Sequence, residues 1–279
     1  MQAVILAAGK STRTYPLTIT KPKQLLKVAN ETLLEHNLDN LNGLVEEVII
    51  VVGYKKNLIK RHIGDKYKNL KIKYVVQKKQ SGTGNALLTA ENHIKNDFIS
   101  LYGDDIYSKE DFRNVLKNKY SILTKKVRNP KPFGVILQNN GILADIVEKP
   151  QKFVSNWVNT GLYKLDKTIF PLLKKIRKSK RGEYELTDGI IMLAKKQNIN
   201  CIKAKQWLPI GNPSNLLEAD RILRKNKTII GKDSKISGNV VNSSIGNGCI
   251  IKGKVKNSII MDNAIIDKNS FVEKSIIGD

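Results

Sequence analysis

Short apolar runs alternate with helical patterns over roughly the first 225 residues, and the alternation stops after Asn226. AVILAA, from Ala3, is a continuous apolar run of strand length that ends at a glycine. TLLEHNLDNL, from Thr32, carries its leucines at helical spacing. EVIIVVG from Glu47, KIKYVVQ from Lys71 and DFISLYG from Asp97 read as further strands, with a helix predicted over GNALLTAENHIK from Gly84. This alternation argues for a largely parallel sheet covered by helices on both faces, where ligands sit beyond the carboxyl ends of the strands. FGVILQ from Phe133, LADIVEKP from Leu143 and WVNTGLYKL from Trp157 read instead as a strand-rich insertion at one side, followed by helices over about 184–197 and 214–224.

Beyond Asn226 the chain consists of short β-branched runs separated by Gly, Asn, Asp and Ser, with no helical period. Ile259, Ile265, Phe271 and Ile277 fall six residues apart, as do Ile230 with Ile236 and Ile245 with Ile251. That is the hexapeptide spacing of a parallel β-helix, predicted here with about three hexads per coil. The expected domains are therefore 1–226 and 227–279. A solenoid of about fifty residues is marginal alone, so the tail is expected to pack on a partner subunit as a homo-oligomer.

The composition is that of an ordinary folded protein: 279 residues, 41% hydrophobic and 27% charged. No apolar run reaches the roughly 18 to 20 residues of a spanning helix, and MQAVILAAG opens without a basic leader, so no membrane is involved and the expected location is cytoplasmic. Cys201 and Cys249 are too few and too far apart for a disulfide framework or a zinc site. The net charge of +24, from 49 basic against 25 acidic residues, needs an account. Clusters such as KYKNLKIK from Lys66 and KKIRKSKR from Lys174 suit nucleic acid, yet aromatic residues do not interleave with them as base stacking requires. Solvated lysine faces, or a field that draws in small anionic substrates, explain the charge without nucleic acid.

The segment VILAAGKSTRTYPLTITKPKQLL, from Val4, follows the first strand with Gly9, Ser11 and Thr12, then Arg13 and Lys23. Backbone N–H groups, hydroxyls and fixed cations in one loop suit phosphates. The spacing matches neither a dinucleotide fingerprint nor a P-loop. In SGTGNALL, from Ser81, Gly82 and Gly84 allow close backbone approach to a flat ligand, and Gln77 offers an amide that can read a base edge. LYGDD, from Leu101, places Asp104 and Asp105 after a strand, where carboxylates suit Mg²⁺ bridging phosphate oxygens; the same residues also make ordinary turns.

In this order, and with FGVI, VEKP, NTGLY, EYELTD and WLPIGNP following, these motifs resemble the sugar-phosphate nucleotidylyltransferases over almost the whole chain. The resemblance implies a Rossmann-like mixed, mostly parallel sheet with helices on both faces, followed by a short left-handed parallel β-helix. It implies transfer of a nucleotide from UTP or dTTP to glucose 1-phosphate or an amino-sugar relative, with Mg²⁺ and release of pyrophosphate. The residues it assigns to the nucleotide are Leu6, Ala8, Gly9, Ser11, Thr12, Gln77, Gly82 and Thr83. Arg13 and Lys23 fall on the phosphates and Asp104 on the metal. Tyr102, Gly134, Glu148, Lys149 and Asn159 fall on the sugar-phosphate side. Two positions depart from the pattern: Ser11 stands where the family has glycine, and Pro209 replaces the second metal-ligand aspartate of its W-x-D-x-G motif. Pro209 leaves open a second reading, a non-catalytic regulatory subunit of the same architecture. No histidine follows His93, so the tail is expected to serve assembly rather than the acetyl transfer of some longer relatives.

Overall fold

The N-terminal apolar run forms the strand Gln2–Ala7, buried along its whole length. In the computed structural model residues 1–278 are described, and they divide into two compact units. The first comprises 1–10, 37–103 and 107–207; the second comprises 11–36, 104–106 and the described residues from 208 onward.

The first unit is built on one ten-stranded sheet. Its middle is parallel, as the unbroken apolar runs require of strands covered on both faces. Gln2–Ala7 lies between Glu47–Val52 and Phe98–Tyr102, and Leu70–Val76 lies beyond Glu47–Val52. The expected strand-rich side is present: Trp157–Leu165 runs antiparallel to Phe98–Tyr102, and Gly134–Asn139 pairs antiparallel with Ile142–Glu148. Phe98, Ile122, Tyr163, Phe170 and Ile190 are among the residues that fill the core.

Two predicted helices are shorter than their patterns. The run from Gly84 gives the helix Thr83–Leu88 and then a separate 3₁₀ turn, Glu91–His93. The Thr89 hydroxyl donates back to the Ala86 carbonyl, and such a local bond competes with continued helix. The helix expected from 184 begins at Leu186, because Tyr184 is held in a backbone bridge, its N–H on Ser81 and its carbonyl accepting from Gly84.

The second unit contains the repeat. Its strands form three parallel sheets, one for each side of the solenoid. Ile230 pairs with Ile245 and Ile245 with Ile260, so a coil advances 15 residues, not three full hexads. The last coil is longer, with Ile260 paired to Ile277. The six-residue spacing does not by itself tell which positions face inward. Ile265 and Phe271 are 61% and 62% exposed, whereas Ile251, Val255, Ile260 and Ile266 form the solenoid interior. Ser243 and Ser258 stack at one corner, each hydroxyl accepting the N–H of the serine one coil on.

A second apolar cluster in this unit joins Leu26, Val28 and Leu33 with Ile210, Leu216, Ile259 and Met261. The side of the solenoid that carries Ile259 is thus covered by the helix Pro213–Leu223 and by the segment around 26–33 of the same chain. The composition change after Asn226 marks where the repeat starts, but the repeat is grouped with 208–226 and with two early segments.

Candidate functional site

The predicted site residues fall in both units. In the first, Leu6, Ala8 and Gly9 end the strand Gln2–Ala7 and lead out of it. The Ala8 carbonyl accepts from Tyr54, and a Cβ on Gly53 would lie 2.6 Å from that oxygen, so the glycine is required for the approach. Gln77 is buried, and its amide nitrogen donates to the Gly82 carbonyl at 3.1 Å and to Asn85 Oδ1 at 2.8 Å. Gly82 adopts φ +107°, with the space of a Cβ taken by the Tyr184 backbone. The Thr83 hydroxyl accepts from Leu186 N, so SGTGNA and EYELTD are bound to one another.

The sugar-side residues gather on the antiparallel strands. Gly134 pairs with Glu148 across two strands, and a Cβ at 134 would meet Glu148 Oε2 at 3.1 Å. Burial pushes the Glu148 carboxyl above its usual range, partly offset by the Arg181 guanidinium and reinforced by Glu185. Lys149, in the left-handed region at φ 45°, donates its N–H to Phe133, and its charge also favours the Glu148 carboxylate. The Asn159 amide donates to Tyr163 Oη at 2.6 Å and accepts from Gly161 N at 2.9 Å. Gly161 has φ +82° and would place a Cβ 2.2 Å from the Tyr102 ring, which therefore rests on bare backbone. Burial holds the Tyr102 phenol neutral and well above its ordinary pKa, with Tyr163 as a further cause.

Arg181 and Glu185 were not picked out from the sequence. The Arg181 guanidinium lies 2.8 Å from Glu185 and 3.4 Å from Glu148. Glu185 stood within a quoted motif, EYELTD, but Arg181 sat in a lysine-rich run that reads as solvated charge.

In the second unit, Ser11 takes φ 54° and ψ 48°, left-handed geometry that explains why glycine suits the position. Its carbonyl accepts from the Thr14 and Thr18 hydroxyls at 2.7 and 3.0 Å, closing the loop around the 3₁₀ turn Thr12–Thr14. Arg13 is exposed and, among the described residues, makes no hydrogen bond or ion pair. Lys23 differs: its side chain is 4% exposed and Nζ lies 2.7 Å from Asp104 Oδ2. Asp105 accepts the Ile210 N–H at 3.1 Å, one residue after Pro209.

Among the described residues no three acidic, His or Cys side chains gather as a preformed metal cage. Asp104 has one carboxylate oxygen on Lys23, and its other oxygen is the group that could join a hard divalent cation whose remaining ligands come from water and substrate oxygens. Burial pushes the Cys201 thiol up to about 12, and Cys249 is buried, so neither is a reactive thiolate. No helix among the described residues is long and apolar enough to cross a membrane.

The nucleotidyl transferase family model matches residues 2–226, and the GlmU-like C-terminal hexapeptide model matches 226–279. Bifunctional protein GlmU of Methanocaldococcus jannaschii is 39% identical over 100% of this chain and 78% of its own length. UTP--glucose-1-phosphate uridylyltransferase AglF of Haloferax volcanii is 37% identical over 82% of this chain and 98% of its own. In fold, a UDP-glucose pyrophosphorylase solved with UDP-glucose superposes with a TM-score of 0.72 at 24% identity, over 81% of this chain and 99% of that one. Matched by the first model over 2–226 and by the second over 226–279, and aligned along most of its length with these relatives, the chain belongs to the nucleotidyl transferase family, as a sugar-1-phosphate nucleotidylyltransferase.

Proposed function

We propose that this chain transfers the nucleotide of UTP or dTTP to glucose 1-phosphate or an amino-sugar relative, with Mg²⁺, in the cytoplasm. The observation that carries the reading is the buried Lys23 ammonium, held on Asp104 within the segment that follows the phosphate loop. The sugar-phosphate oxygen attacks the α-phosphorus, and the bond from that phosphorus to the β-phosphate oxygen breaks as the new one forms. Pyrophosphate leaves with the electron pair. The attacking phosphate is already ionised at neutral pH, so no general base is needed, and the task is to offset repulsion between two anions.

Each residue then has a role. The loop from Leu6 through Ala8, Gly9, Ser11 and Thr12 holds the triphosphate, with Arg13 on the departing phosphates and Lys23 near the α-phosphate. Gln77, whose amide nitrogen is committed to Gly82 and Asn85, turns its carbonyl oxygen to the base beside Gly82 and Thr83. Lys149 pairs with the sugar phosphate, and Glu148, Asn159, Gly134 and Tyr102 shape the sugar pocket. Asp104 would hold the metal together with substrate oxygens; Mg²⁺ supplies charge neutralisation there. Pro209 offers no ligand, so the site rests on one carboxylate.

A non-catalytic subunit is not favoured, because the chain aligns along its length with named transferases and retains the cationic set. The test is a pyrophosphate-release screen of the four common NTPs and dTTP, each with a panel of sugar 1-phosphates and Mg²⁺. Release is expected with UTP or dTTP and a glucose-type sugar, and absence of release with every pair would sink the reading.

A further inference from the structure

We propose that the β-helix is a working part of the catalytic machinery: through Lys27–Asp262 and Asn30–Ile245, and through Ser244 on Asp220 of the helix Pro213–Leu223, which makes a third tie to Ala29, it positions the segment that carries Lys23. The inference rests on the reading of Lys23 given above. The chain from Lys23 to Thr32 is a 3₁₀ turn, Lys23–Leu25, followed by a two-stranded hairpin, Lys27–Val28 with Glu31–Thr32. Its two turn residues, Ala29 and Asn30, have φ 50° and 65°. A tight hairpin needs that left-handed geometry, yet alanine rarely takes it, so the turn must be held from outside.

Three polar ties from the C-terminal part of the chain hold it. Lys27 Nζ lies 2.5 Å from Asp262 Oδ2, and the other carboxylate oxygen accepts the N–H of Asn247 in the preceding coil at 2.8 Å. The Asn30 amide donates to the Ile245 carbonyl at 2.8 Å. The Ala29 N–H donates to Asp220 Oδ1 at 2.9 Å, and Asp220 also accepts from Arg224 at 2.6 Å and from the Ser244 hydroxyl. Beneath these ties Leu26 and Val28 are wholly buried, in one cluster with Ile259 and Met261.

There is little slack left between this anchorage and the lysine. The Leu26 N–H is bonded to the Lys23 carbonyl at 2.9 Å, so the anchored residue and the backbone of Lys23 belong to one turn. A displacement of Lys27 is transmitted to Lys23, and misplacement of a charge-stabilising group by about 1 Å can cost up to about 10²-fold in rate. Apolar packing alone would keep the tail attached; the directional bonds all fall on the hairpin within seven residues of Lys23 and fix where it sits.

The experiment uses the full chain. Asp262→Asn removes the charge facing Lys27 while its amide oxygen can still accept from Asn247. Lys27→Met removes the other partner, and Lys27→Arg retains the charge. Turnover and KM are measured for the single variants and for the double variant with Lys27→Met and Asp262→Asn, together with hydrogen exchange at the amides of Leu25, Leu26 and Ala29. The expected result is a loss of roughly 3- to 10-fold in kcat for each of Asp262→Asn and Lys27→Met, with KM for the sugar phosphate within about two-fold. The double variant should lose no more than the worse single, Lys27→Arg should retain most turnover, and exchange should quicken in 25–29 but not in the coil amides Ile250 and Lys252. Unchanged kcat and exchange in both single variants overturns the proposal, and so does a double variant whose loss is the product of the two. Lys23→Ala is run alongside: if it keeps full turnover, the role given to Lys23 fails, while the exchange data still decide whether the β-helix holds the hairpin.

Discussion

In the function proposed above Lys23 and Arg13 serve the phosphates from opposite conditions, one buried on a carboxylate and the other exposed with no partner among the described residues. Each substituted by alanine should lower kcat by roughly 10²- to 10³-fold, the loss typical of one pre-organised charge-stabilising group. Steady-state pyrophosphate release checks this, and native thermal unfolding separates the loss from misfolding. Glu148 makes a prediction in pH. Burial raises its carboxyl above the usual range, so as pH falls it takes a proton before an ordinary glutamate would. In the role proposed for Glu148 the ionised form accepts from sugar hydroxyls, so KM for the sugar phosphate should rise on the acid side through that raised titration. Arg181→Ala removes the cation that favours the carboxylate, and the acid limb should then move to higher pH; Glu148→Gln should abolish it. The linked stability runs the other way. With the folded pKa above the unfolded one, burial of ionised Glu148 costs stability at neutral pH, and the cost is relieved as pH falls through the folded value. A KM profile unchanged in Arg181→Ala would remove the ion pair from the account.

Within the solenoid, the adjacent isoleucines 265 and 266 have opposite fates. Ile265 and Ile266 share one strand and point to opposite sides, the first into solvent and the second inward. Ile266→Ala should therefore cost about 2–5 kcal/mol, as for buried isoleucine elsewhere, and Ile265→Ala within about 0.5 kcal/mol of nothing. Denaturant titration of both variants decides which of the two faces inward. Six-residue spacing leaves this open because the repeat carries isoleucine in pairs: 229–230, 250–251, 259–260, 265–266 and 276–277 are all Ile-Ile. A period locates the pair but not which member faces inward. The coil length escaped for a related reason, since corners that turn on left-handed residues such as Asn242 and Asn257 shorten the coil without changing the look of the strands.

The solenoid is grouped with the phosphate-loop segment, and Ile259 and Met261 cover Leu26, Val28 and Leu33. Intramolecular packing thus accounts for one side of the tail that was expected to need a partner subunit. We retain assembly as a proposal for the remaining faces, where Ile265 and Phe271 are exposed. Light scattering on the full chain should give a multiple of 31.4 kDa, and a monomer at that mass would end the proposal. The charge of +24 has its own test. If the field gathers anionic substrates, kcat/KM should fall as ionic strength rises toward about 0.5 M while kcat changes little, because screening acts on encounter rather than on bound charges.

Apolar runs located the strands Gln2–Ala7, Glu47–Val52 and Phe98–Tyr102 within a residue or two, because a strand buried on both faces must be apolar throughout, and Leu70–Val76 was found by its alternation, with Lys71 and Lys73 exposed. Glycine and charge spacing single out Ser11, Arg13 and Lys23, since phosphate chemistry restricts which residue types can serve, and the phosphate role proposed for them is read from that restriction. Other features depend on neighbours remote in the chain. Arg181 lies in a run of lysines and is distinguished only by folding against Glu148 and Glu185. Ala29 looks unremarkable until Asp220 holds its amide, and Lys27 looks solvated until Asp262, far along the chain, meets it. Local pattern records which face of an element is buried; it carries no record of what covers that face, and the partners of Lys27, Ala29 and Asn30 are supplied only when residues beyond 207 fold back on them.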